Sequence, residues 1–210
     1  MPRKISILGI HTDIGKTVTS AAMTEALQAD YWKPVQAGDL DNSDSIKIKK
    51  WISNSRSVIH EEAVRLQMAA SPHTAAKDEN RLYDFREFQV PKTENTLLIE
   101  TAGGIFSPID DEHTMLDMVE YFQWETALVC KNYLGSINHT LLSLEAIRRR
   151  NIDILALIVN GERNESAESF IRSYAKTERV IHIPELQEIG QQSISETAKI
   201  FKAQWNNLNL

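Results

Sequence analysis

Gly9-Ile10-His11-Thr12-Asp13-Ile14-Gly15-Lys16-Thr17 is the stretch whose reading decides the fold. It follows the apolar run Ile5-Ser6-Ile7-Leu8, which has the form of a buried strand. It precedes Val18 to Ala29, where Val18, Ala21, Ala22, Ala26 and Leu27 fall near one helical face. Strand, glycine-containing loop, Gly-Lys-Thr and helix together make the context of a phosphate-binding loop. The N–H groups around Gly15 and the helix start have no intrahelical partner, so they can point at phosphate oxygens. Gly15 lets the backbone approach closely. Lys16 supplies positive charge to the outer phosphates, and the Thr17 hydroxyl is of the kind that ligates Mg²⁺. The spacing departs from the usual pattern, because Ile10 stands at the first glycine position and Gly9 lies one residue earlier. By itself the loop indicates a nucleotide and leaves the reaction open.

The chain around this loop has 210 residues, which suits one domain of moderate to large size or two small ones. Hydrophobic residues at 42% and charged residues at 25% are those of a soluble globular protein. A net charge of −6 argues against nucleic acid as the main partner, since a phosphate backbone needs concentrated Lys and Arg. The basic clusters at Lys47 to Lys50 and Arg148 to Arg150 are short and read as solvated helix faces. Cys130 is the single cysteine, inside the apolar run Ala127-Leu128-Val129-Cys130, and reads as a core residue. The N-terminus has neither the pattern of a signal peptide nor that of a membrane span, so the expected location is the cytoplasm.

Downstream, Tyr31 and Trp32 suit a second strand, and Pro34 keeps Lys33 out of helical geometry. A lysine at the carboxyl end of a strand can face the ligand crevice of an α/β sheet. On these residues alone the simpler reading is a surface lysine beside a turn. Asn42-Ser43-Asp44 introduces a helix to about Ser53, and Asp44 is open to two readings, a dipole-favoured helix start or a metal ligand. Residues 58–70 read as mixed loop and helix. Pro72 opens a short helix, and His73 reads as a capping or packing residue. Asn95 to Glu100 is a strand ending on a carboxylate, followed by Thr101-Ala102-Gly103-Gly104. Taken with the loop at Gly15, Glu100 fits the acidic group that holds Mg²⁺. Gly103 and Gly104 permit close approach to a phosphoryl group. A helix over 111–122, a strand over 126–131, a helix from Gly135 to about Arg150 and a strand over 152–159 follow. The chain closes with a helix over 165–176, a short strand over 179–183 and a helix over 191–206. This alternation predicts an α/β fold of P-loop NTPase type, a doubly wound, mostly parallel sheet with helices on both faces. Thr17, Lys33, Glu100, Gly135 and Asn160 all fall just beyond strand ends, where such folds bind ligands.

Four motifs in order, Gly9 to Thr17, Lys33-Pro34-Val35, Glu100-Thr101-Ala102-Gly103-Gly104 and Leu134-Gly135-Ser136-Ile137-Asn138-His139, resemble the dethiobiotin synthetase family, with support from Asn42-Ser43-Asp44 and Ser71-Pro72-His73. The resemblance implies one synthetase domain over residues 1–210, with ATP as co-substrate, Mg²⁺ as cofactor, and 7,8-diaminononanoate and CO₂ as substrates. It gives Lys16 and Lys33 the catalytic role of neutralising charge in phosphoryl transfer. It places the nucleotide at Asp13, Ile14, Gly15, Lys16, Thr17 and Val18, then at Asp44, Glu100, Thr101, Ala102 and Gly103, with Asn160 and Gly161 at the base. The metal falls to Thr17, Asp44 and Glu100. The carbamate and diamine fall to Thr12, Ala37, Gly103 and Gly104. Ser136, Ile137 and Asn138 would bind the distal carboxylate for the partner subunit of a homodimer. The family more often has Ser or Thr at the place of Ala37, Gly at Thr101, Lys at Tyr133 and Glu at Asp13. The alternative is a nucleotide-switch ATPase of the partitioning or septum-positioning type. Those proteins carry a second lysine early in the loop, where His11 stands here, and a basic amphipathic C-terminal anchor that Gln191 to Leu210 does not provide.

Overall fold

The computed structural model describes residues 2–210. The loop at Gly15 connects β1 (Lys4–Gly9) to α1 (Lys16–Leu27), as its residue pattern requires. β2 (Asp30–Trp32) follows, then β3 (Val35–Ala37), α2 (Asp44–Trp51), β4 (Val64–Leu66) and α3 (Pro72–Asp78). The second half alternates regularly: β5 (Leu97–Glu100), α4 (Met115–Phe122), β6 (Glu125–Lys131), α5 (Ser136–Arg149), β7 (Ile154–Asn160), α6 (Glu165–Ala175), β8 (Val180–Ile183) and α7 (Gln191–Asn207).

Six strands form one sheet in the order β2-β5-β1-β6-β7-β8, every pair parallel. Strands covered on both faces need continuous apolar runs, and Leu97-Leu98-Ile99, Ala127 to Cys130 and Leu155 to Val159 are all buried. The chain leaves β1 in one direction, to β2, and later returns past it in the other, from β5 to β6. Right-handed crossovers therefore put α1 on one face and α4, α5 and α6 on the opposite face. α7 comes back to pack on α1 and α2, closing a second apolar cluster of Ala21, Tyr31, Ile48, Ile52 and Ile194. The reversal at β1 is the topological switch point, and the carboxyl ends of β1, β2 and β5 open there.

Two expectations change. Residues 58–70 contain no helix; they supply β4, which pairs in parallel with β3, Val35 to Val64 and Ala37 to Leu66. The helix expected over 111–122 begins at Met115. Asp110 Oδ1 accepts the N–H groups of Glu112 at 2.8 Å and His113 at 2.7 Å, which holds that segment in a turn. The helix start is then marked by Thr114, whose N–H and hydroxyl both reach Asp117 Oδ2, at 2.6 and 2.5 Å.

Candidate active site

The first turn of α1 carries Lys16, Thr17 and Val18, whose N–H groups precede the intrahelical ladder. Gly15 is left-handed at φ +86°, and a β-carbon there would lie 1.7 Å from Asn160 Nδ2. That amide donates to the Ile14 carbonyl at 2.9 Å. The end of β7 thus braces the loop from beneath, and glycine at position 15 is required by conformation and by space together.

Four elements bring polar or charged side chains to the loop. α1 contributes Thr17, the end of β2 contributes Lys33, the start of α2 contributes Asp44, and the end of β5 contributes Glu100. Thr17 Oγ1 lies 3.0 Å from both Asp44 Oδ1 and Glu100 Oε1. Lys33 Nζ donates to Asp44 Oδ2 at 2.5 Å and to Glu100 Oε1 at 3.2 Å. Lys33 is only 5% exposed, so the reading of a surface lysine beside a turn is overturned. Asp44 is the first residue of α2, after the Ser43 cap, as the helix-start reading expects, and its side chain faces the cluster.

Charges this close must be paired to be tolerated. Burial alone would lower the Lys33 pKa, but Glu100 and Asp44 outweigh it and raise it above the ordinary lysine value. Asp44 is likewise pushed up by burial and then held below its ordinary value by Lys33, with help from Thr17. Lys16 is different. Its Nζ reaches the His11 carbonyl at 3.5 Å, and burial together with the Lys33 charge brings its pKa down to about 8. This is a fixed cation with unspent charge.

These side chains line a cavity of about 840 Å³ that also takes in Thr12, Asp13, Ala37, Ala102, Gly103 and Ser107. Asp13, Gly15 and Val18 line, in addition, a neighbouring slot of about 180 Å³ whose other walls include Lys131, Asn160, Gly161 and Glu185. Among the described residues no group of three or more His, Cys, Asp or Glu is arranged to hold a metal. Two carboxylates and one hydroxyl converge instead. That oxygen-only donor set suits Mg²⁺, which takes one or two carboxylates and completes its shell with phosphate oxygens and water.

Several expected residues lie elsewhere. Thr101 is 1% exposed, and its hydroxyl donates to the Ile7 carbonyl at 3.1 Å, joining β5 to β1 rather than facing the cavity. Ile14 is buried. Gly104 borders an adjoining hollow of about 420 Å³ with His11 and His139, which shares Thr12 and Ser107 with the Lys16 cavity. Ser136, Ile137 and Asn138 border a depression at the start of α5 that shares no lining residue with the Lys16 cavity. The Ser136 N–H is already used by the Tyr133 carbonyl at 2.9 Å, which leaves those of Ile137 and Asn138. The Tyr133 hydroxyl bonds His139 Nδ1 at 2.7 Å. His73 packs as expected, bonded to Ser71 and Thr74.

Sequence reasoning missed four polar residues here. Gln36 Oε1 accepts the Asp44 N–H at 3.3 Å while its Nε2 donates to the Gly38 carbonyl at 2.9 Å, fixing the start of α2. Lys47 lies 3.9 Å from Asp44 Oδ1. Ser20 and Tyr31 both bond Glu100 Oε2, at 2.6 and 3.0 Å. The signal for Ser20 was available, since it sits one helical turn after Thr17.

Comparison with known proteins agrees with this arrangement. Residues 3–193 match the model of a family described as AAA domain. A protein of Christiangramia forsetii named ATP-dependent dethiobiotin synthetase BioD is 42% identical over 96% of this chain and 97% of its own length. A protein of the same name from Campylobacter jejuni is 46% identical over 82% and 84%. Another, from Chlamydia pneumoniae, is 39% identical over 98% and 92%. Among solved structures, a ParA family ATPase from Chlorobium tepidum covers 99% of the chain and 95% of its own at TM-score 0.52 and 13% identity. The MinD cell division protein of Aquifex aeolicus covers 94% and 95% at TM-score 0.52, also at 13% identity. At that identity the last two show the parallel α/β fold alone, so the switch-ATPase alternative has support from shape only.

Proposed function

The chain belongs to the ATP-dependent dethiobiotin synthetase family, and from that premise we propose how its own residues carry out the reaction. The activity is ATP-dependent carboxylation and ring closure of 7,8-diaminononanoate, in biotin synthesis. One amine takes up CO₂ as a carbamate. A carbamate oxygen attacks the γ-phosphorus of ATP and ADP leaves, giving a mixed carbamic-phosphoric anhydride. The second amine attacks the carbonyl carbon, closes the cyclic urea and expels phosphate. The observation that carries this reading is the meeting of Lys16, Thr17, Lys33, Asp44 and Glu100 in one cavity.

The base of the nucleotide belongs in the slot beside Asn160 and Gly161. One Nδ2 hydrogen of Asn160 is donated to the Ile14 carbonyl, and its side-chain oxygen is free to accept from the exocyclic 6-amine of adenine, a position where guanine carries an oxygen acceptor. The phosphates then pass over the first turn of α1 to Lys16. Lys16 and Lys33 offset the negative charge that accumulates as carbamate and γ-phosphate approach. Thr17, Asp44 and Glu100 would hold Mg²⁺. When bound, the cation neutralises charge on the phosphate oxygens. Thr12, Ala37 and Gly103 border the space left for carbamate and diamine. Ala37 brings no hydroxyl there, whereas Thr12 and Ser107 do.

The turn at Ile137 and Asn138 borders a depression that shares no lining residue with the Lys16 cavity, which supports its serving the site of a partner subunit in a homodimer. No described helix is long and apolar enough to cross a membrane. We place the enzyme in the cytoplasm, where ATP and its substrates meet. The test is direct: phosphate release from ATP should require diaminononanoate and bicarbonate together, and dethiobiotin should appear in equal amount by mass spectrometry. ATP hydrolysis that proceeds at the same rate without the diamine would sink the assignment.

A further inference from the structure

Glu100 is gripped on its two oxygens by different kinds of group. Oε1 takes Thr17 and Lys33, both of which line the large cavity. Oε2 takes the Ser20 hydroxyl at 2.6 Å and the Tyr31 phenol at 3.0 Å. Ser20 and Tyr31 are each 0% exposed, and neither belongs to the cavity wall. Their origins are separate. Ser20 comes from α1, and Tyr31 from β2, where it pairs with Leu98 of the same strand that ends in Glu100. The reaction described above uses neither residue.

We propose that Tyr31 and Ser20 are positioning residues that lock Oε2 of Glu100, so that this carboxylate serves the nucleotide-bound cation through Oε1 alone and in one fixed rotamer. The inference rests on the assignment of Glu100 to the cation. Its physical basis is the cost of the alternatives. For Glu100 to turn, or to offer both oxygens to a metal, Oε2 must leave two hydroxyls, and in the dry interior behind α1 each would be stranded without a partner. The phenol O–H points its donor at Oε2 from 3.0 Å. The cation therefore meets a carboxylate whose rotamer is already fixed, and only the Thr17 and Lys33 contacts on Oε1 have to adjust.

Tyr31→Phe removes one hydroxyl and keeps the ring in its apolar cluster; Ser20→Ala removes the other, and either variant can carry the test alone. The probe is Mn²⁺ titrated into the enzyme–ADP complex by electron paramagnetic resonance, beside ADP affinity measured in EDTA. Each variant should raise the Mn²⁺ dissociation constant about threefold to tenfold and leave the metal-free ADP affinity unchanged. A role limited to packing would not produce that split. In a Glu100→Gln background, Tyr31→Phe should add no further loss, because its effect passes through the carboxylate. Unchanged Mn²⁺ affinity in a folded Tyr31→Phe or Ser20→Ala protein overturns the proposal, as does full additivity with Glu100→Gln. If Glu100→Gln alone leaves Mn²⁺ binding intact, it is the metal assignment that fails.

Discussion

A methyl group at Gly15 would fall 1.7 Å from Asn160 Nδ2, on a backbone already at φ +86°. Gly15→Ala therefore suffers a clash and a conformational cost of ~1–2 kcal/mol, and ADP binding should be lost in calorimetry. Adding Asn160→Gly removes the clash but also the Ile14 brace and the base contact proposed for Asn160, so the double variant should regain measurable ADP binding that stays weaker than wild type. Wild-type binding by Gly15→Ala would show that close approach at this point is unimportant. Lys33→Ala should lower kcat by ~10²–10³ and change ATP affinity much less; a near-normal kcat would remove Lys33 from the mechanism. Lys16 makes a prediction in pH. Its folded pKa, about 8, lies below the ordinary lysine value, so between the two the unfolded chain holds the extra proton. Its contribution to stability thus rises with pH across that interval. Nucleotide phosphates restore the charge and should draw in up to about one proton per ADP bound at pH ~8.5–9. Calorimetry in buffers of different ionisation enthalpy measures that uptake, and Lys16→Met should abolish it. The phosphate loop was fully legible in the sequence, because its glycine, lysine and threonine are contiguous. The burial of Lys33 was not, since it depends on α2 and β5 closing over a three-residue strand.

Element boundaries show the same division between local and non-local causes. The long buried strands and the closing helices followed from apolar runs and helical periodicity. β4 did not, because three residues in a polar stretch gain their strand geometry only by pairing with β3. Asp111-Glu112-His113 has the composition of a helix start, yet the Asp110 side chain captures its N–H groups first. The true start of α4 depends on Asp117, which accepts from Thr114 and pairs with Arg150 Nη1 at 2.6 Å. Burial raises the Asp117 pKa, but the Thr114 hydroxyl and Arg150 outweigh it and hold it below the ordinary value. The stability it contributes is complete above the ordinary aspartate range and is lost as pH falls through the depressed folded value. Asp117→Ala should therefore cost about 1–2 kcal/mol near pH 7, a difference that shrinks on acidification. A destabilisation that stays constant from pH 7 to pH 2.5 in urea melts would mean that the carboxylate charge plays no part.

At the scale of the whole molecule, the strand order gathers the ends of β1, β2 and β5 around Lys16, while the turn before α5 opens onto a different depression. In the proposed homodimer a second copy would supply the turn. Lys33 would then serve its own subunit and Asn138 the partner's. Take one variant with Lys33→Ala and one with Asn138→Asp, which sets a negative charge against the substrate carboxylate. Each homodimer should be poorly active, because every site carries one lesion. Unfolding and refolding an equal mixture makes about half the dimers mixed, and twofold symmetry puts both lesions in one site and neither in the other. One intact site in half the dimers corresponds to about a quarter of wild-type activity, given unbiased pairing and independent sites. Native mass spectrometry of the refolded sample verifies the mixed species. If mixed dimers are present and activity stays at the level of the parents, the turn at Asn138 does not act across the interface.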